Sequence, residues 1–211
     1  MGEHPPYDET RRRLLGAMVA FPFVLSSAHL LQLGFDGGVQ EGTPLTPTPQ
    51  CGDDDDDDPT PSQTEGPFFT PRSPARTSLL EPGLKGTRLT VTGMVLTRGC
   101  RPVAGALVDF WQADDAGEYD NAGYRLRGHQ FTDAQGRYRL DSIVPGLYPG
   151  RTRHIHVKVQ APAKPVLTTQ LYFPGEARNQ RDGIFHPDLV MKTATARDRR
   201  AGVFNFVLDL A

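Results

Sequence analysis

The sequence predicts an all-β protein, an antiparallel two-sheet β-sandwich whose long loops carry the functional groups. Short runs rich in β-branched and aromatic residues succeed one another from Leu89 onward. Turn signals separate them, and 22 glycines with 19 prolines exceed what a helical chain would carry. Within this region no long apolar pattern of helical period appears.

The runs are LTVTGMVLT (89–97) before the turn RGCRP, GALVDFWQA (105–113) before a polar, glycine-bearing loop, and GRYRLDSIV (136–144) between the turns DAQG and PG. RHIHVKVQ (153–160), LTTQLYF (167–173) and GVFNFVLDL (202–210) follow. Alternation of apolar and polar residues on short strands of this kind suits sheets packed face to face. The pattern V-x-G, P-V-x-G-A-x-V, T-D-x-x-G-x-Y, P-G-x-Y between Val91 and Tyr148 also occurs in exported sandwich modules that only bind carbohydrate or protein. Such a module is the rival reading.

Residues 1–35 read as an export signal. Arg11, Arg12 and Arg13 precede Leu14 and Leu15, and an apolar stretch continues to about Leu33. The paired arginines before two leucines resemble a twin-arginine signal. Pro22, His29 and Gln32 interrupt the apolar run, against a membrane anchor. The expected location is therefore periplasmic or extracellular, with folding, and the loading of any metal, completed before export. Residues 36–62 read as a disordered linker, rich in proline and carrying the run Asp53–Asp58, whose like charges repel. That run lacks the glycine-punctuated spacing of a calcium loop. The β-sandwich domain is assigned to residues 63–211. The only cysteines, Cys51 and Cys100, form no Cys-x-x-Cys motif; in an oxidising compartment they can pair as one disulfide. The formal net charge of −2 offers no basic stripe for nucleic acid.

RTRHIHVKV (151–159) carries the chemistry. On a strand, His154, His156 and Lys158 face one way and Ile155, Val157 and Val159 the other, so both imidazoles can converge on one ion. A cupin arrangement lacks its carboxylate, since Gln160 follows and the next carboxylate is Glu176. A three-histidine zinc site would need His129 or His186, and neither has supporting spacing. Tyr148 stands six residues before His154, and Tyr119 follows the strand ending at Trp111 and Gln112. Two phenolates with two imidazoles suit Fe(III), because anionic oxygen donors favour the harder, higher oxidation state.

Six ordered pieces then resemble one family: TEGPFF (64–69), PVAGALVDFWQADDAGEYD (102–120), FTDAQGRYRL (131–140), IVPGLYPG (143–150), RTRHIH (151–156) and TTQLYFPG (168–175). The chain is similar to the intradiol ring-cleavage dioxygenases, which include catechol and protocatechuate dioxygenases. The resemblance implies one Fe(III) per chain held by Tyr119, Tyr148, His154 and His156, with Tyr148 the ligand that leaves when substrate chelates. It implies that Arg151 is the active-site arginine and that Gln170 lines the site near iron. It implies a catechol-type substrate and O2, a cis,cis-muconate-type diacid as product, no organic cofactor and no stable membrane partner, and it leaves room for a homo-oligomer. The sequence departs from the best-known members where Gly150 directly joins Tyr148-Pro149 to Arg151, in place of a longer segment with an aromatic residue. Thr152 also replaces their usual proline. This shortening marks an exported short-form branch, so substrate identity does not transfer.

Overall fold

The computed structural model describes residues 58–210, and in them the two-sheet prediction holds. The export signal, most of the linker and Cys51 lie outside the described residues; Cys100 is disulfide-bonded. The strands are β1 (Arg88–Thr97), β2 (Leu107–Trp111), β3 (Arg127–Phe131), β4 (Arg137–Ile143), β5 (His154–Gln160), β6 (Leu167–Tyr172), β7 (Lys192–Ala196), β8 (Arg199–Val203) and β9 (Phe206–Leu208). One sheet runs β4-β1-β8-β7, with β9 also on β1; the other runs β3-β2-β5-β6. Val91, Val95 and Leu140 meet Val108, Phe110, Ile155, Val157 and Leu171 between them, all fully buried. At about 25 cal/mol per Å² of apolar surface, that inner layer is the main favourable term for the sandwich.

The six anticipated runs all appear, with differences at the polar and terminal strands. The sequence RGHQF of β3 and KTATA of β7 carries too little apolar alternation to read as strand. Both are supported by pairing, β3 against β2 and β7 against β8. The last run is broken into β8 and β9, which pair with β1 in parallel, while the other pairs are antiparallel. The break lies at Phe204 and Asn205. The Phe204 carbonyl accepts the Tyr138 hydroxyl at 2.8 Å, and Asn205 Oδ1 accepts the Met94 amide at 3.0 Å. A Cβ on Gly93 would stand 1.7 Å from that carbonyl, so no side chain fits there.

Before β1 the chain straps across the outer face of the second sheet. Gln63 donates to Thr168 O at 2.8 Å at the β6 edge, and Arg76 to His129 O at 2.8 Å on β3. The domain begins a little earlier than the sequence suggests. Thr60 exchanges hydrogen bonds with Val207, and Pro61 O accepts from Thr169 Oγ1 at 2.7 Å, so residues 60–62 belong to the sandwich rather than to the linker.

Candidate active site

Strand alternation puts the core residues of the second sheet on one face and a polar set on the other. Pairing aligns Arg127, Trp111, His156 and Gln170 in one row across all four strands, with His154 opposite Tyr172 in the next. His154 and His156 thus share a face, as the sequence predicted, and Gln170 sits directly beside His156. The strap covers them: a Cβ on Gly66 would touch the His156 ring at 3.4 Å, and Lys158 pairs with Glu65 while lying 4.2 Å from the Phe69 ring centre.

Loops bring in the tyrosines. Asp114 Oδ1 accepts the amides of Ala116 and Glu118, and its Oδ2 accepts Arg125, so the turn leading to Tyr119 closes on its first residue. Asp120 receives the amides of Ala122, Gly123 and Arg125 and fixes the turn that follows. The Tyr119 loop and the Tyr148 loop touch backbone to backbone. Gly146 N donates to Asp114 O at 2.6 Å; a Cβ on Gly146 would stand 2.3 Å from Gly117 N, and one on Gly117 2.5 Å from Leu147 O. The Arg151 amide returns to Tyr148 O at 3.1 Å around Pro149 and Gly150, whose φ is +77°. Proline followed by a positive-φ glycine closes a type II turn. The short link seen in the sequence is this turn, and it holds Tyr148 next to Arg151.

Three donors meet. Tyr119 Oη and His156 Nε2 each lie 3.2 Å from His154 Nε2. Tyr148 stands beside them, its ring centre 5.8 Å from that of Tyr119 and nearly perpendicular. Phe68 stacks on Tyr119 at 4.6 Å and meets Tyr148 edge-on at 5.3 Å, while Trp111 stacks on His156 at 4.8 Å. His154 Nδ1 lies 2.7 Å from Thr152 O, an acceptor only, which assigns its proton to Nδ1 and leaves the Nε2 lone pair facing the cluster. Burial lowers the His154 pKa to about 4 and holds His156 well below its ordinary range, helped by the charge of Arg151, so both imidazoles are neutral. Burial pushes the Tyr119 phenol above its ordinary value of 10, opposed by Arg151 and Arg127.

This donor set fits a metal ion. One lone pair on His154 Nε2 cannot satisfy both Tyr119 and His156, whereas a cation among them is served by all three. Two imidazoles and two phenols suit Fe(III). The histidines that a zinc set would require point elsewhere: His129 lies 3.1 Å from Ser73 Oγ, and His186 faces Asp188 at 3.7 Å. Among the described residues no three of His, Cys, Asp or Glu gather as a metal-binding group.

Arg151 is held on two sides. Its Nε donates to Asp182 Oδ2 at 2.8 Å and its Nη2 to Gln170 Oε1 at 2.7 Å, with the Tyr172 hydroxyl at 3.4 Å. Gln170 Nε2 is anchored to Thr64 O at 3.0 Å. Asp182, its side chain only 2% exposed, also accepts the Thr152 amide at 2.8 Å, and these bonds keep its carboxyl below its ordinary range against the cost of burial. Burial raises the Tyr172 phenol to about 12. Arg153, its neighbour, serves the scaffold by joining Glu176 to the Pro145 carbonyl.

All six site residues singled out in the sequence therefore lie in one region. Sequence reasoning missed Asp182, Tyr172, Phe68 and Arg127. Asp182 sits in a polar loop with no periodic signal. Tyr172 and Phe68 stand inside recognised motifs, TTQLYFPG and TEGPFF, and the alternation from Gln170 to Tyr172 on one strand face was the available clue. Arg127 opens β3, whose polar residues carry no strand signal of their own.

A family model described as Dioxygenase matches residues 64–210. The chain is 36% identical over 138 residues to the protocatechuate 3,4-dioxygenase beta chain of Burkholderia cepacia, covering 57% of each chain. It is 31% identical over 183 residues to catechol 1,2-dioxygenase 2 of Acinetobacter lwoffii, covering 72% of this chain and 60% of that one. It thus spans 57% and 60% of the length of these two curated relatives. Among solved structures, the dioxygenase domain of a dioxygenase carbohydrate-binding protein fusion from Streptomyces sp. SirexAA-E is 60% identical with a TM-score of 0.72, over 73% of this chain and 100% of that one. A 3-chlorocatechol 1,2-dioxygenase from Rhodococcus opacus 1CP is 27% identical with a TM-score of 0.67, over 72% and 74%. With the family match running through every strand of both sheets and every residue of the site, the chain belongs to the intradiol ring-cleavage dioxygenase family.

Proposed function

We propose that the protein is an Fe(III)-dependent intradiol dioxygenase, which cleaves a catechol-type diol between its two hydroxylated carbons with O2 to give a cis,cis-muconate-type diacid. The observation that carries this reading is the convergence of Tyr119 Oη, His154 Nε2 and His156 Nε2, with Tyr148 alongside. These four residues would hold one Fe(III) per chain. When bound, the ion supplies a Lewis acid for both diol oxygens and an acceptor for electron density from the ring. Both oxygen atoms of O2 enter the product, and two ring-carbon valences opened by the cleavage become carboxyl groups.

The chain's own residues prepare the substrate. Tyr148, half-buried on a short loop, would be the ligand that moves aside and accepts a diol proton at Oη. His154 and His156, buried and hydrogen-bonded or stacked, stay in place. Arg151 offers a fixed cation where negative charge gathers on the ring, beside the buried His154, His156 and Gln170, where such a charge acts more strongly than in open water. Gln170 and Asp182 hold that cation in position. The relatives' names include protocatechuate, catechol and chlorocatechol. The vicinal diol common to them is the part we carry over to this chain.

Export by the twin-arginine route, with the protein acting beyond the cytoplasmic membrane, completes the reading and rests on Arg11–Leu15 and the apolar stretch after them. A sandwich that only binds carbohydrate or protein would leave the buried Tyr/His cluster and the braced arginine without a use. Purified protein is expected to be burgundy, to contain about one iron per chain, and to consume O2 with a panel of catechols. Iron-loaded protein without a visible tyrosinate band, or without O2 uptake on any vicinal diol, sinks the proposal.

A further inference from the structure

Arg127 is among the largest fully buried side chains of the domain and is 1% exposed. A buried guanidinium ordinarily pairs with a carboxylate. Here, among the described residues, its side-chain hydrogen bonds all go to backbone carbonyls. Nε and Nη2 donate to Asp120 O at 3.0 and 2.7 Å, and Nη1 donates to Phe68 O at 2.5 Å. Asp120 follows Tyr119 directly in the chain. Phe68 is the ring stacked on Tyr119 and set edge-on against Tyr148. One rigid fork therefore ties the segment of one tyrosine to the ring that packs against both.

Resting on the ferric reading above, we infer that Arg127 is a positioning residue of the metal centre. It fixes the angle between the Tyr119 and Tyr148 rings by joining the Asp120 and Phe68 carbonyls across the strap. The planar fork can serve both carbonyls at once; lysine, a point donor, cannot hold the same geometry. The other ring neighbour, Trp111, stacks on His156 from the adjacent position of the same strand row. The row that carries Arg127 thus backs the site on its β3 side.

The test uses the full chain, with Arg127→Lys, Arg127→Ala and Phe68→Leu compared with wild type. The readouts are iron per chain, the energy and intensity of the tyrosinate-to-iron band per bound iron, and the split between kcat and KM. All three variants are expected to shift or weaken the band and to lower kcat on the order of tenfold to a hundredfold with little change in KM, as for a ligand displaced by a fraction of an ångström. Arg127→Lys, which keeps the charge, is expected to behave like Arg127→Ala, and millimolar guanidinium is expected to restore part of the band in Arg127→Ala. Arg127 variants that fold and keep the wild-type band and kcat overturn the inference. Should those variants fail to fold, Phe68→Leu with an unmoved band overturns it equally. A wild type without iron or colour overturns the ferric reading and this inference together, whereas a coloured wild type beside unchanged variants overturns the inference alone.

Discussion

Tyr119 Oη lies 3.2 Å from His154 Nε2, and burial alone would keep it a phenol. A trivalent cation reverses that preference, since a nearby positive charge stabilises the phenolate. Tyr119→Phe is therefore expected to lose bound iron or most of the visible band, and an unchanged spectrum per chain counts against its being a ligand. Arg151 makes no such direct bond to the tyrosine or to either histidine. Its guanidinium is fixed by Asp182 and Gln170. Arg151→Ala is expected to keep iron and colour and to lose on the order of 10²- to 10³-fold in kcat, as when a fixed donor to developing negative charge is removed. Steady-state O2 uptake by the coloured variant checks this, and near-normal turnover refutes the role. Asp182→Asn loses the carboxylate that neutralises Arg151 and orients its Nε, so its effect is expected to follow that of Arg151→Ala at smaller size. Retention of full kcat by that variant would leave Asp182 a fold residue only.

At the scale of elements, the two tyrosine loops form one unit because glycine lets their backbones touch. Gly117 has φ +91° and a Cβ there would meet Leu147 O at 2.5 Å. Gly117→Ala thus meets both a left-handed backbone and a carbonyl, and is expected to destabilise the domain by about 2 kcal/mol or more and to disturb the band through Tyr148. Gly105, also at positive φ but with nothing within 4 Å, serves as the comparison. Gly105→Ala is expected to cost about 1 kcal/mol and to leave the band unchanged. Thermal melts and visible spectra of the two variants check the pair. If both lower the melting temperature and neither moves the band, the loop contact is structural and does not set the tyrosines.

For the whole molecule, pH separates the buried groups. His154 and His156 have depressed pKa values in the fold, so the unfolded chain binds protons first as pH falls. The stability that depends on their neutral forms is complete above the ordinary histidine value of 6.5 and is lost as pH drops toward about 4 for His154, on the order of 3 kcal/mol for that group. Asp182 is likewise depressed, from 3.8. Its contribution is present above that value and fades below it, as pH passes through the lower folded value. Metal-free protein is thus expected to lose stability first between pH 6.5 and 4 and again at lower pH. Denaturant melts across that range check it, and a flat profile above pH 4 would contradict the buried, neutral state of His154.

The sequence by itself determined the sandwich and the shared face of His154 and His156, while the resemblance of the surrounding motifs singled out Tyr119, Tyr148 and Arg151. Strand alternation and turn residues act over a few positions, so they are legible locally. It also held the YPGR turn in plain view, since proline before glycine is a local signal. What the tertiary structure decided was the company these residues keep. β3 and β7 are strands because a neighbour completes their hydrogen bonds, although their own residues give little reason. Asp182 reaches Arg151 from 31 positions away, and Arg127 reaches Phe68 from 59. The short alternating runs announced where the core would lie, but a buried cation held by carbonyls leaves no periodic trace, because backbone acceptors are the same in every sequence.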